Sequence, residues 1–200
     1  MCRVICPKCF LPSRLCLCSR IRRIDTRIEF LILRHTKESQ KRSNTARLAG
    51  LALHHCQIRD YGGPGQTVDL NPTALGSKTW VLFPSGNCAL PSAELVEKII
   101  VLDGSWSQAR RMFHRISALR GLPCLSLPSP KVAPSRLRQP PDGEGMSTLE
   151  AIASAVRLLE GEVPAAELEA LHAVFVQSVL ETRGIPRHGA DDLTFQPRGV

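Results

Sequence analysis

The stretch Ile99-Ile100-Val101-Leu102-Asp103-Gly104-Ser105-Trp106-Ser107-Gln108 constrains this chain more than any other. Four apolar, mostly β-branched residues run into a carboxylate and a glycine, and a Ser-x-x-Gln capping box follows, so it reads as buried strand, tight turn and helix start. A strand without polar alternation is covered on both faces, which points to an α/β fold with a parallel sheet. Asp103 then stands at a strand's carboxyl end. Open α/β sheets bind ligands at that edge, where helix N-termini also offer free N–H groups.

The other elements are read in the same way. Ile28 to Leu33 is a buried strand running into Arg34-His35-Thr36-Lys37-Glu38, and Asn44 is placed to cap a helix to about His54. Cys56 to Arg59 and Thr79 to Phe83 are further strands, the second closing on Pro84-Ser85-Gly86. Ser92 opens a short helix to about Glu97, leading into the strand before Asp103; this crossover implies parallel pairing. A helix from Ser105 to about Leu119 is followed by a strand over 123–127, and then by a long Pro- and Gly-rich loop, 128–145, containing Arg138. Ser147-Thr148-Leu149-Glu150 is a second capping box, opening a helix to about Glu160. Pro164 lies in the first turn of a last helix, Ala165 to Arg183, ended by Gly184. Three strand-end turns, at Phe83-Pro84-Ser85, Asp103-Gly104-Ser105-Trp106 and Leu127, then share one edge. Three segments follow: 1–24, basic and Cys-rich; 25–184, the α/β body; and 185–200, a loose tail.

Charge is segregated. Residues 1–50 hold twelve Lys/Arg against three Asp/Glu, while 51–200 hold fourteen against fifteen, so the first quarter is +9 and the remainder −1. A basic block of this kind suits a polyanion such as nucleic acid. No apolar run approaches 18 residues without charges, so no membrane span is expected, and the Cys- and Arg-rich start does not read as a secretory leader. A cytoplasmic protein is the expectation. No G-x-G-x-x-G or P-loop occurs, which argues against a classical dinucleotide site or an NTPase.

Cys6-x-x-Cys9 and Cys16-x-Cys18 put four thiols within thirteen residues. A closed four-sulfur shell is the structural type of zinc site, and the metal would supply folding energy that so short a segment lacks. Reduced or redox cysteines are the competing reading, although the βαβ context of a thioredoxin-like site is missing. Cys56, Cys88 and Cys124 are scattered and read as small core or loop residues. His35 is either a phosphate contact or proton shuttle, or a hydrogen-bonded histidine ending its strand.

The ordered set Cys6-x-x-Cys9-x6-Cys16-x-Cys18, His35-x-x-Glu38 with Asn44-Thr45, Phe83-Pro84, Asp103-Gly104-Ser105-Trp106, and Arg138 with Ser147-Thr148-Leu149-Glu150-Ala151 resembles the DTW-domain family of tRNA-uridine aminocarboxypropyltransferases, from about residue 6 to 183. Ser105 replaces the threonine of the namesake Asp-x-Thr-Trp motif, keeping the hydroxyl. The resemblance implies a SPOUT-like fold with a C-terminal trefoil knot, binding S-adenosylmethionine. It also implies transfer of the 3-amino-3-carboxypropyl group to N3 of a tRNA uridine, in the variable loop by our reading, with release of methylthioadenosine. Asp103 is then the expected general base, with Trp106 either stacked on the uracil or filling the core; partial desolvation of Asp103 against Trp106 would offset the helix dipole. Backbone around Phe83, Pro84, Ser85, Gly104, Ser105, Leu125 and Leu127 is expected to cradle the cofactor. Arg138 is either the partner of its carboxylate or a phosphate contact or exposed loop charge, while Thr148 and Glu150 are either cofactor contacts or simply a helix cap. Lys8, Arg20, Arg22, Arg23, His35, Lys41, Arg42, Arg110 and Arg111 are expected to grip tRNA backbone, in a monomer or homodimer. Two alternatives remain: a SPOUT-type methyltransferase, and a non-catalytic zinc-dependent RNA-binding protein.

Overall fold

A computed structural model describes residues 4–63, 70, 75–84, 88–89, 91–127 and 145–185. Among them six strands form one parallel sheet: β1 (Glu29–His35), β2 (Cys56–Tyr61), β3 (Thr79–Leu82), β4 (Cys88–Ala89), β5 (Lys98–Asp103) and β6 (Cys124–Leu125), in the order β2-β1-β5-β3-β6-β4. Five α-helices lie wholly within the described residues: α1 (Thr36–Ser39), α2 (Ala46–Ala52), α3 (Trp106–Arg115), α4 (Thr148–Glu160) and α5 (Glu162–Thr182). The apolar run before Asp103 is thus a central strand, with Val101 level with Ile32 of β1 and Leu82 of β3.

Side chains alternate between two helical layers. Phe30, Ile32, Trp80, Ile99 and Val101 pack with Leu48 of α2, Ile152 and Val156 of α4, and Leu168 and Phe175 of α5. Leu31, Leu33, Val81 and Ile100 pack with Ala109 and Met112 of α3. By this two-residue period Asp103 follows Val101 onto the face of α2 and α4, whereas α3 covers the opposite face.

Several boundaries differ from the sequence expectation, each for a local reason. Helix α3 ends at Arg115 because Ile116 turns extended (ψ 101°) to bury its side chain, and a 3-10 turn at Ser117–Leu119 completes the segment. Ser92 caps no helix; Ala93–Leu95 is a 3-10 turn without a side-chain cap. Strand β6 is two residues long, so Leu127 lies beyond it, half-buried. Neither α1 nor β4 has a sequence signature, since four and two residues are too short to show a period. The expected α4 is observed, with both halves of its Ser147–Glu150 capping box formed. Helix α5 starts three residues earlier than expected, at Glu162 after Gly161, so Pro164 falls in its first turn as read. It ends at Gly184 (φ +78°), with the N–H groups of Ile185 and Gly184 donating to Leu180 and Glu181 carbonyls at 3.1 Å. Long and apolar enough to cross a membrane by composition, α5 nonetheless buries Ala165, Leu168, His172, Phe175, Val176 and Val179. Ser85, Arg138 and most of the expected tail lie outside the described residues.

Candidate active site and metal centre

Strands β1, β5, β3 and β6 are neighbours and parallel, so their carboxyl ends share one edge, and Asp103 stands at its middle. Its side chain is 5 % exposed. Asn44 Nδ2 donates to Oδ2 at 2.6 Å, and Thr148 Oγ1 donates to Oδ1. Burial raises the Asp103 pKa above the usual carboxylate range and Glu38 nearby raises it further; the Thr148 and Asn44 hydrogen bonds and the Arg34 charge pull the other way without prevailing. Each carboxylate oxygen can accept two hydrogen bonds and one donor is named on each, so acceptor capacity remains on both.

The partners are delivered by the ends of three helices. The N-cap position of α2 is Thr45, one residue later than read from sequence, but Asn44 Oδ1 still accepts the Arg47 N–H (3.2 Å) in the first turn, while its amide reaches across to Asp103. Thr45 Oγ1 accepts the Leu149 N–H at 3.3 Å, joining α2 to the start of α4. Ser147 holds the α4 cap through Glu150 and meets His172 Nε2 at 3.0 Å; burial depresses the pKa of that histidine. Glu150 is therefore explained by the cap, and Thr148 by its bond to Asp103. Buried Glu38, ion-paired with Lys41, completes the polar cluster from α1.

Trp106 does not desolvate Asp103. It begins α3 at 50 % exposure, tilted against Phe83 (6.5 Å between centroids), and Phe83 stacks on Phe113 at 4.6 Å. The burial that raises Asp103 comes from the α2 and α4 face, so carboxylate and indole flank the strand end from opposite sides. Ser105 makes the capping box with Gln108, and a Cβ on Gly104 would lie 3.0 Å from Gln108 Cβ, which explains the glycine. At the neighbouring strand ends the Phe83 N–H donates to the Leu125 carbonyl (3.2 Å), one residue beyond the paired Leu82 and Leu125.

The structure divides the basic residues predicted to bind RNA. His35 caps α1, its Nδ1 accepting the Lys37 N–H at 3.2 Å, and its pKa is lowered by burial and by Lys37, Arg111 and Lys41; these four belong to the edge of Asp103. Arg23 instead donates to the Leu53 carbonyl (2.6 Å) ahead of β2, at the opposite edge, and Arg20 and Arg22 line a groove beside α5. Lys8, Arg42 and Arg110 are exposed.

The four thiols of Cys6, Cys9, Cys16 and Cys18 lie within 4.8 Å of one another. Cys6–Cys18 and Cys9–Cys16 sulfur separations are 3.7 and 3.8 Å. A tetrahedron with metal–sulfur bonds of about 2.3 Å has edges of about 3.8 Å, so the set fits one zinc ion and is far from disulfide distance. The Cys9 N–H lowers the Cys6 thiol to about 6, predisposing it to bind as thiolate. The knuckle is not self-contained: Cys9, Leu11 and Leu17 enter the cluster formed by β1, α2 and α5.

A parallel α/β sheet with a buried carboxylate at its edge and a four-cysteine cluster able to hold a metal ion defines the class. The chain belongs to the DTW domain family, whose model matches residues 3–181. Curated relatives named tRNA-uridine aminocarboxypropyltransferase 2 are similar to it: those of Macaca fascicularis and Mus musculus at 28 % and 26 % identity, each over 78 % of this chain and 56 % of the relative, and that of Drosophila melanogaster at 26 %, over 66 % of the relative. The chain thus spans little more than half the length of the two mammalian relatives. No solved structure matches it.

Asn44, Thr45, Arg47 and Glu38 are site residues that motif reading did not assign chemistry. For Glu38, Asn44 and Thr45 the available signal was their place in the ordered motif set; Arg47 carried none.

Proposed function

We propose that this chain is a tRNA-uridine aminocarboxypropyltransferase, acting on N3 of a tRNA uridine. The observation that supports it most is Asp103: a buried carboxylate, raised in pKa, at the carboxyl end of the central strand in a chain of this family. S-adenosylmethionine, when bound, supplies a carbon chain activated by its sulfonium. Main chain at Phe83–Pro84 and Leu125–Leu127, at the carboxyl ends of β3 and β6, is proposed to meet the edge of an adenine, and Gly104 and Ser105 line the neighbouring strand end; Ser85 and Arg138 complete the proposed cofactor set.

Asp103 takes the imide proton on its remaining acceptor positions, helped by a pKa moved toward that of its task. Asn44 and Thr148 fix the carboxylate plane, so the uridine is met by a base that does not rotate. Half-exposed Trp106 offers its ring to the uracil from the α3 side; His35, Lys41, Arg110 and Arg111 hold the adjoining phosphates, with Lys8, Arg20, Arg22, Arg23 and Arg42 on more remote backbone. Cys6, Cys9, Cys16 and Cys18 hold a structural zinc ion. The SPOUT-like knotted topology and a cytoplasmic location belong to the same reading.

Mass spectrometry of tRNA incubated with the protein and S-adenosylmethionine tests it. An adduct of the aminocarboxypropyl mass with methylthioadenosine as by-product is expected, and Asp103→Ala abolishes it while tRNA is still bound. S-adenosylhomocysteine as by-product would instead identify a methyltransferase, and binding without any adduct a non-catalytic RNA-binding protein.

A further inference from the structure

The knuckle and the reactive carboxylate are joined by a chain of contacts that neither RNA gripping nor metal binding requires. Phe10, immediately after Cys9, has φ +61°, a left-handed backbone that an aromatic residue rarely adopts. Two hydrogen bonds hold that turn, Phe10 N–H to the Cys6 carbonyl and Cys6 N–H to the Leu11 carbonyl, both 2.9 Å. The turn sets the Phe10 ring against Arg47, whose guanidinium carbon lies 3.6 Å from the ring centroid. Arg47 is 8 % exposed and donates to the Lys41 carbonyl (3.3 Å) and the Ser39 carbonyl. Its own N–H is the one Asn44 accepts, and Asn44 holds Asp103.

We propose that Phe10 and Arg47 are positioning residues through which the four-cysteine centre sets the orientation of Asp103. Cys9 fixes the turn, the turn places the ring, the ring and two carbonyls lock the guanidinium, and the first turn of α2 then holds the Asn44 amide on Oδ2. Electrostatics follow the same line, since Arg47 lies in the field of both Cys9 and Asp103. The left-handed turn and the buried cation both carry a cost, and together they make the metal site a support of the carboxylate as well as of the fold. This rests on Asp103 being the reactive group.

Glu38 of α1, Arg34 of β1 and Arg47 of α2 are the charged groups that face Asp103, and α4 contributes the Thr148 hydroxyl. Phe10→Leu leaves all of them in place while removing the ring. If the chain of contacts operates, the Asn44 amide loosens, the carboxylate loses a donor, and Asp103 titrates at higher pH.

The experiment follows Asp103 directly, by carbon-13 NMR of side-chain carboxyl-labelled, zinc-loaded protein without substrate, its signal assigned by loss in Asp103→Asn. In Phe10→Leu the midpoint is expected to rise by about half a unit or more, roughly threefold in the equilibrium constant. Phe10→Tyr, which keeps the stack, stays at the wild-type midpoint, with one zinc per chain in both. Arg47→Lys leaves the knuckle sequence intact and is expected to give the same rise. An unchanged midpoint in zinc-loaded Phe10→Leu overturns the proposal; if that variant does not hold zinc, an unchanged midpoint in Arg47→Lys does so. The readout needs no turnover, so a rise in a protein that transfers no aminocarboxypropyl group would refute the proposed function and leave the coupling standing.

Discussion

Removing the Asn44 side chain separates the two jobs it performs. Asn44→Ala deletes an acceptor for the Arg47 N–H, a cap interaction worth about 1 kcal/mol. It also deletes a 2.6 Å bond to a buried carboxylate; hydrogen bonds to charged groups are worth about 1.5–3 kcal/mol. The expected loss is therefore about 2.5–4 kcal/mol, a large share of the roughly 5–15 kcal/mol typical of folded domains. In an Asp103→Ala background only the cap is left to lose, about 1 kcal/mol, so the double-mutant cycle should give a coupling of about 1.5–3 kcal/mol.

The pH dependence has a definite sign. Asn44 stabilises ionised Asp103, so its bond contributes fully above the carboxyl's folded pKa and is lost as pH falls through it. Urea denaturation of metal-replete protein measures both effects, comparing Asn44→Ala with wild type across the acid range. Additivity of the two substitutions within about 0.5 kcal/mol, or a penalty that does not shrink on acidification, would refute the account of Asp103 as an ionised, Asn44-held carboxylate.

Trp106→Ala should change stability by less than about 1 kcal/mol, since the ring is half exposed, while weakening tRNA binding by the roughly 1–3 kcal/mol of a base stack, read by titration with labelled tRNA. Cys6→Ser with Cys9→Ser should abolish stoichiometric zinc in elemental analysis and open residues 4–18 to protease; retained metal and protection would exclude the four-sulfur site. Arg110→Ala should lower the slope of log affinity for tRNA against log salt by about 1, whereas Arg23→Ala, whose guanidinium holds the Leu53 carbonyl at the far edge, should lower it less.

Periodicity and capping chemistry are local, and what depends on them was legible in the sequence. The β5–turn–α3 unit, both capping boxes, the parallel class of the sheet and the clustering of four cysteines follow from neighbours within a few positions of one another. Elements shorter than a period, α1 and β4, left no such trace. The ordered motifs, rather than any spacing, carried the family.

Which side of the sheet each group faces, and what meets it there, is set by packing between segments far apart in the chain. From the sequence, Trp106 is expected to stand against Asp103 and desolvate it. The strand's alternation sends them to opposite faces, and Asp103 meets Asn44 and Thr148, 59 and 45 positions away. Arg47 carried no reading from its sequence position; the fold lays it against Phe10. The sequence determined which residue types stand at the strand end and in the knuckle; only the tertiary structure decided that one buried network links them, because hydrogen bonds and ring contacts are made through space and leave no spacing to count.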